Sequence, residues 1–132
     1  MSALAARGIN SYRQAEVQSR TPLELVVMLY DGALRFTAEA REAMVRRDVR
    51  KRAKAISRAM AIVSELQSTL DMDAGGEIAA TLDRLYAFVR DRLLDASFRQ
   101  DVRPLDEAGK VLQTLREGWS GISNKAGQAT AR

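Results

Sequence analysis

Four stretches of the chain place apolar side chains every three or four residues, and this spacing limits what the sequence can fold into. The stretches cover about 22–46, 49–70, 77–97 and 101–122. Such a repeat gives a helix one apolar face, and no segment alternates with the two-residue period of a strand. Because short connections make successive helices antiparallel neighbours, the pattern predicts an all-α protein with an antiparallel up-down four-helix bundle.

The first helix has a clear start signal in the run Thr21-Pro22-Leu23-Glu24. Thr21 at the N-cap accepts a hydrogen bond from the amide of Glu24, Pro22 suits the first helical position, and the Glu24 side chain reaches back to the cap amide. Asp48 is placed to cap the second helix. The pair Gly75-Gly76 interrupts the helical pattern before the third, since glycine permits backbone angles closed to other residues.

The length of 132 residues fits one domain with two flanking segments. Residues 1–20 carry only isolated apolar side chains, so we expect a mobile, partly helical N-terminal arm. Residues 21–122 form the predicted bundle. Residues 123–132 have no apolar side chain larger than alanine, which predicts a disordered tail.

The chain contains neither cysteine nor histidine, which removes disulfides, thiol nucleophiles and histidine-based catalysis or metal binding. Asp71, Asp73 and Glu77 lie close together, but they lack the ligand spacing of a calcium-binding loop and are typical of an acidic turn. No phosphate-binding glycine motif is present. We therefore expect no enzyme activity, no cofactor and no metal.

No stretch of about 18 apolar residues is present, and the N-terminus lacks the pattern of a secretory signal. The expected location is the cytoplasm, without stable membrane insertion.

Positive charge is concentrated in one region. The net charge is +4, and residues 41–58 hold eight basic and two acidic side chains, or +6, so the remainder sums to −2. A basic helical nucleic-acid-binding protein is one interpretation. No aromatic side chain interrupts the cluster and no base-reading motif frames it, which favours a solvated helix end and no nucleic-acid partner.

The first and third helices carry more apolar residues than a bundle needs. The additional ones are Val27, Met28, Leu34, Tyr86, Phe88 and Leu94. They fit a broad core covered by the N-terminal arm, or a groove for a partner's amphipathic helix. A homodimeric bundle that closes this face on itself is a third interpretation.

Three blocks of the sequence resemble the flagellin-specific export chaperones, the FliS family. The first is Tyr12…Val17…Thr21-Pro22-x-x-Leu25-x-x-Met28-Leu29-Tyr30-Asp31-Gly32-Ala33. The second is Glu65-Leu66-x-x-x-Leu70-Asp71-x-x-x-Gly75-Gly76-Glu77-Ile78-Ala79, followed by Leu82-x-x-Leu85-Tyr86, and the third is Leu115-Arg116-Glu117-x-Trp119. The resemblance covers about residues 9–122. Thr81, Ser97 and Gly118 depart from the family pattern.

The resemblance implies a cytoplasmic chaperone that binds the disordered C-terminal segment of flagellin. It would prevent premature polymerisation and assist delivery to the gate of the flagellar type III export apparatus. It also implies that Ile9 and Tyr12 place the arm, which shields the groove, and contact an export-gate component when flagellin is bound. We place the flagellin-binding groove at Leu66, Leu70, Ile78, Leu82 and Tyr86, while Leu66 and Leu82 fit an ordinary core equally well.

Overall fold

The computed structural model describes the backbone of residues 21–130 and the side chains of residues 21–122. This part of the chain forms four helices and no strand: α1 (Pro22–Val45), α2 (Val49–Ser68), α3 (Met72–Arg99) and α4 (Arg103–Thr130). The predictions for the arm, including those for Ile9 and Tyr12, lie outside the described residues.

The four helices pack in a ring, with α1 and α3 each lying between α2 and α4. Two ion pairs fix the direction of α4 against α1: Asp31 pairs with Arg116, and Arg41 pairs with Asp106 at 2.8 Å. The two α1 residues are ten positions apart, and their partners on α4 are also ten positions apart but in the reverse order. The two helices therefore run in opposite directions. The predicted antiparallel four-helix bundle is therefore confirmed.

Short polar side chains begin three of the helices. Thr21 Oγ1 accepts a hydrogen bond from the Glu24 amide at 3.1 Å, and Asp48 Oδ1 accepts one from the Lys51 amide at 3.1 Å. Asp71 Oδ1 accepts from the amides of Asp73 and Ala74. Each cap satisfies amides that have no partner within the first turn of a helix.

The start of α3 differs from the sequence prediction. The helix begins at Met72, not at about Glu77, because Asp71 caps one helical turn before the glycine pair. Gly76 then interrupts the helix at φ 53° and ψ −130°, a conformation that glycine adopts without strain. The predicted break is therefore a kink inside a longer helical segment.

The end of α4 also differs from the prediction. The helix continues to Thr130, whereas the sequence predicts a disordered tail from residue 123. The prediction relied on the loss of the apolar repeat, but extending an existing helix needs no apolar face. The segment contains three alanines, one lysine and one glutamine, all of which are good helix formers.

The core differs between the two halves of the bundle. Five of the eight buried alanines of the described residues lie in the half that contains the α1–α2 turn, namely Ala40, Ala43, Ala55, Ala96 and Ala108. Partly buried larger side chains are more frequent in the opposite half and include Val26, Leu29, Leu70, Leu82, Leu115 and Trp119. Since small side chains allow helices to approach closely, the alanine-rich half has more positions at which neighbouring helices can pack closely.

Candidate functional site

The structure divides the predicted groove residues between the core and the surface. Leu66 and Tyr86 are 1% and 2% exposed and belong to the core, so they do not line an open groove. Leu70 and Leu82 are half-buried against that core, and Ile78 is 73% exposed. Their positions continue the inward-facing stripes of α2 and α3, and spacing alone does not separate a core stripe from a groove.

Tyr86 belongs to a buried polar cluster that links three helices. The hydroxyls of Tyr30 and Tyr86 lie 2.5 Å apart, and Trp119 Nε1 donates a hydrogen bond to Tyr30 Oη at 3.2 Å. Burial is the main factor that raises the pKa of both phenols above the usual tyrosine value, so both stay protonated at neutral pH. The cluster holds the helices in register.

Helix α3 carries most of the exposed large apolar side chains of the described residues. Between residues 21 and 122, five of the eight belong to it: Met72, Ile78, Phe88, Leu94 and Phe98. The same helix also supplies Tyr86, Val89 and Leu93 to the core. It therefore has apolar side chains on its inward face and elsewhere around its axis. This arrangement exceeds what packing within the bundle requires.

The exposed side chains of α3 fall into two sets around its axis. Gln67 of α2 bonds Asp83 at 2.8 Å and Arg90 at 3.0 Å, which identifies the side of α3 that faces α2. At 100° per residue, Leu94 and Phe98 lie only about 20° and 60° from Asp83.

The second set lies on the other side of α3. Ile78 and Leu85 lie about 140° and 160° around the axis from Asp83, away from α2 and toward α4. Together with Leu82 and Phe88, they follow each other at spacings of three or four residues, which is typical of one helix face. We call Ile78, Leu82, Leu85 and Phe88 the α3 apolar strip. Ile78 and Phe88 are its exposed members.

The additional apolar residues of the two helices have different positions. Val27, Met28 and Leu34 of α1 are half-buried, whereas Phe88 and Leu94 of α3 are exposed. Sequence analysis did not identify Phe98, which is 84% exposed. Its signal was present, because an aromatic residue there lies well off the stripe that contains Tyr86, Leu93 and Ala96.

The titratable side chains between residues 21 and 122 show no metal-binding arrangement. No cluster of three or more acidic side chains within the described part could hold a metal ion. The carboxylates and guanidinium groups pair mainly at the surface, as in the ion pairs of Asp95 with Arg92 and Arg99, each at 3.3 Å. Among the described helices, none is long and apolar enough to cross a membrane.

Comparisons with known proteins agree with the resemblance in the sequence. The family model described as flagellar protein FliS matches residues 5–126. The flagellar secretion chaperone FliS of Salmonella typhimurium is 37% identical over 126 residues, covering 92% of this chain and 93% of that protein. The flagellar secretion chaperone FliSB of Pseudomonas aeruginosa is 36% identical over 124 residues, covering 91% and 98%.

A solved structure supports the fold. A bacterial flagellar chaperone superimposes with a TM-score of 0.74 at 17% identity, covering 92% of this chain and 98% of that one. The family model, the two relatives and the bundle architecture agree over nearly the whole length. The chain belongs to the FliS family of flagellar proteins.

Proposed function

We propose that this protein is a flagellar secretion chaperone that binds the disordered C-terminal segment of flagellin. One structural observation carries the proposal: Ile78 and Phe88 of the α3 apolar strip remain exposed although all four described helices contribute to a buried core. Membership of a family whose relatives are named flagellar secretion chaperones supports it. Those relatives are named as chaperones, which are not an enzyme class.

The physical task of such a chaperone is to cover an apolar face of its client. A segment that packs against other copies in a filament must carry such a face, and that face would promote association before export. Burying it contributes about 25 cal/mol per Å² of apolar area. Part of this is offset by the loss of conformational freedom as the disordered segment becomes ordered. The resulting moderate affinity allows the client to be released at the export gate.

The corrected groove consists of the α3 apolar strip with Leu70 at the end of α2. Ile78 and Phe88 offer exposed area, and Leu82 and Leu70 are half-buried beneath the surface. Leu66 and Tyr86 act indirectly, because their packing in the core fixes the position of the strip. In this proposal an amphipathic helix of flagellin lies along the α3 apolar strip, with Leu70 at the end where α3 begins.

The remaining parts of the proposal concern location and delivery. The protein acts in the cytoplasm, where flagellin is made before export. The arm, with Ile9 and Tyr12, shields the groove in the free protein and contacts an export-gate component once flagellin is bound. The resemblance in the first thirty residues supports this assignment.

Calorimetric titration with the flagellin C-terminal segment tests the client. We expect a stoichiometric complex with a negative heat-capacity change, because apolar area is buried. Ile78→Ser and Phe88→Ser should each weaken binding about tenfold or more, as expected when a large apolar contact is lost. Both side chains are exposed, so the fold should persist in the variants.

Leu94→Ser is the matched control, since Leu94 is also exposed on α3 but on the side facing α2. Its binding should stay within about twofold of the unmodified protein. An equal loss in all three variants would place the client elsewhere on α3. No binding at micromolar concentration would contradict the proposed client.

A further inference from the structure

One end of the bundle is strongly basic. We call Arg46, Arg47, Arg50, Lys51 and Lys54, around the α1–α2 turn, the basic tip. All five side chains are exposed. Arg46 pairs with Glu42 at 2.9 Å, but the ion pairs among residues 21–122 do not include the other four. Four of the five tip cations therefore have no ion-pair partner in this part of the chain.

Exposed apolar side chains lie beside these cations. Val45 and Val49 flank the turn and are 65% and 58% exposed. Val49 precedes Gln67 by five helical turns, so both lie on the side of α2 that faces α3. Phe98 lies on the facing side of α3, near the end that meets the same tip, and is 84% exposed. From the Gln67 contacts, Val49 and Phe98 are separated by about 10 Å along the bundle axis.

The backbone of the turn adds a second observation. Arg47 adopts a positive φ of 59°, a left-handed conformation that glycine or asparagine adopts at lower cost at the end of a helix. A residue other than glycine at this position lowers the stability of the turn, and the Arg47 side chain is exposed. Such departures from local preference concentrate at functional positions.

We propose that the basic tip binds the surface of an anionic lipid bilayer. Lipid phosphates would lie against the cations, and Val45, Val49 and Phe98 would enter the interface between headgroups and acyl chains. The tip lies at an end of the bundle, and its cations are interspersed with exposed apolar side chains. A nucleic acid would use the cations alone and leave the three apolar side chains without a partner.

The distribution of charge favours this orientation. Residues 41–58 sum to +6, whereas the rest of the chain sums to −2. An anionic surface therefore attracts the tip and repels the remainder, so that the bundle approaches end-on. Binding is peripheral and reversible, since no helix of the described part could span the bilayer. This inference does not depend on the identity of the client.

Vesicle co-sedimentation of the full chain tests the proposal. The protein should bind vesicles of equal parts phosphatidylcholine and phosphatidylglycerol, and binding should fall as salt is raised. It should not bind vesicles of phosphatidylcholine alone. The triple variant Arg50→Gln, Lys51→Gln, Lys54→Gln should bind about a hundredfold more weakly, because each cation near an anionic surface contributes about fivefold. Phe98→Ser should weaken binding about tenfold.

The matched control is the triple variant Arg35→Gln, Arg84→Gln, Lys110→Gln, which removes the same charge from exposed positions outside the tip. It should bind anionic vesicles within about threefold of the unmodified protein. Loss of binding equal to that of the tip variant would overturn the proposal, as would failure to bind anionic vesicles at low salt. Tighter binding to duplex DNA than to vesicles at the same salt would assign the tip to nucleic acid instead.

Discussion

The hydroxyl of Tyr30 joins three helices at one point. It lies 2.5 Å from the Tyr86 hydroxyl on α3, which is diagonally opposite in the ring, and accepts a hydrogen bond from Trp119 on α4. Buried polar groups are stabilising when each has a partner and costly when one is left alone. The cluster therefore specifies how far α1, α3 and α4 are shifted along one another.

Removing the hydroxyl of Tyr30 should cost more stability than removing that of Tyr86. Tyr30→Phe leaves both Tyr86 and the Trp119 indole without this partner, and should lower the free energy of unfolding by about 1–3 kcal/mol. Tyr86→Phe keeps the bond from Trp119 and should cost about half as much. Urea denaturation followed by circular dichroism measures both. A larger effect for Tyr86→Phe would show that Tyr30 is not the centre of the cluster.

At the scale of single helices, two glycines should respond to alanine in opposite directions. Gly76 lies at φ 53° and ψ −130°, so Gly76→Ala strains the kink in α3 and should cost about 1–3 kcal/mol. Gly118 lies inside α4 with open space where a Cβ would project, so Gly118→Ala should stabilise the protein by up to ~1 kcal/mol. Thermal unfolding of the two variants provides the measurement.

The pair also serves as its own control, since both changes add one methyl group. Open space surrounds the new Cβ at Gly76 as well, so its cost would come from the backbone and not from a clash. If Gly76→Ala were neutral, the kink would not require a glycine.

The starts of α1 and α2 were predictable because their chemistry is local. Thr21 and Asp48 lie within three residues of the amides they accept from, so the sequence alone indicates them. The burial of Leu66 and Tyr86 was not predictable in this way. It depends on which side of each helix meets its neighbours, and Tyr86 meets Tyr30 across a separation of 56 residues. The spacing of apolar residues shows that a helix has an apolar stripe. It does not show which neighbouring helix that stripe faces in the assembled bundle.

For the whole molecule, residues 21–122 contain a buried core to which all four helices contribute. The cluster extends from Tyr30 on α1 to Leu112 on α4 and includes side chains from all four helices. Deleting residues 1–18 should therefore leave a folded bundle with unchanged helical circular dichroism per residue and a cooperative thermal transition. A dye that binds exposed apolar surface should fluoresce more strongly with the shortened chain, if the arm shields the groove as proposed.

Global unfolding of the shortened chain would show that the arm is part of the core. A folded bundle with an unchanged dye signal would show that the bundle folds without the arm. It would also show that the arm does not shield the groove.

The overall topology followed from the sequence, but the distribution of surfaces over the molecule did not. Short connections sufficed to predict antiparallel neighbours, and charge arithmetic placed the basic residues around Asp48. That Phe98 lies on the side of α3 nearer to α2 depends on how α3 is rotated about its axis, which the contacts of Gln67 with Asp83 and Arg90 establish. Properties that combine residues from distant elements require the packed arrangement.

The alanine-rich half of the core has a mechanical consequence. Closely packed helices resist relative displacement. The four helices should therefore move least relative to one another near Ala43 and Ala55, and most near the partly buried Val26, Leu70 and Trp119. The bundle should therefore be most rigid near the α1–α2 turn and most mobile at the end where α1 begins. A segment that inserts at the mobile end displaces few well-packed side chains, and the rigid end keeps the four helices together while it enters and leaves.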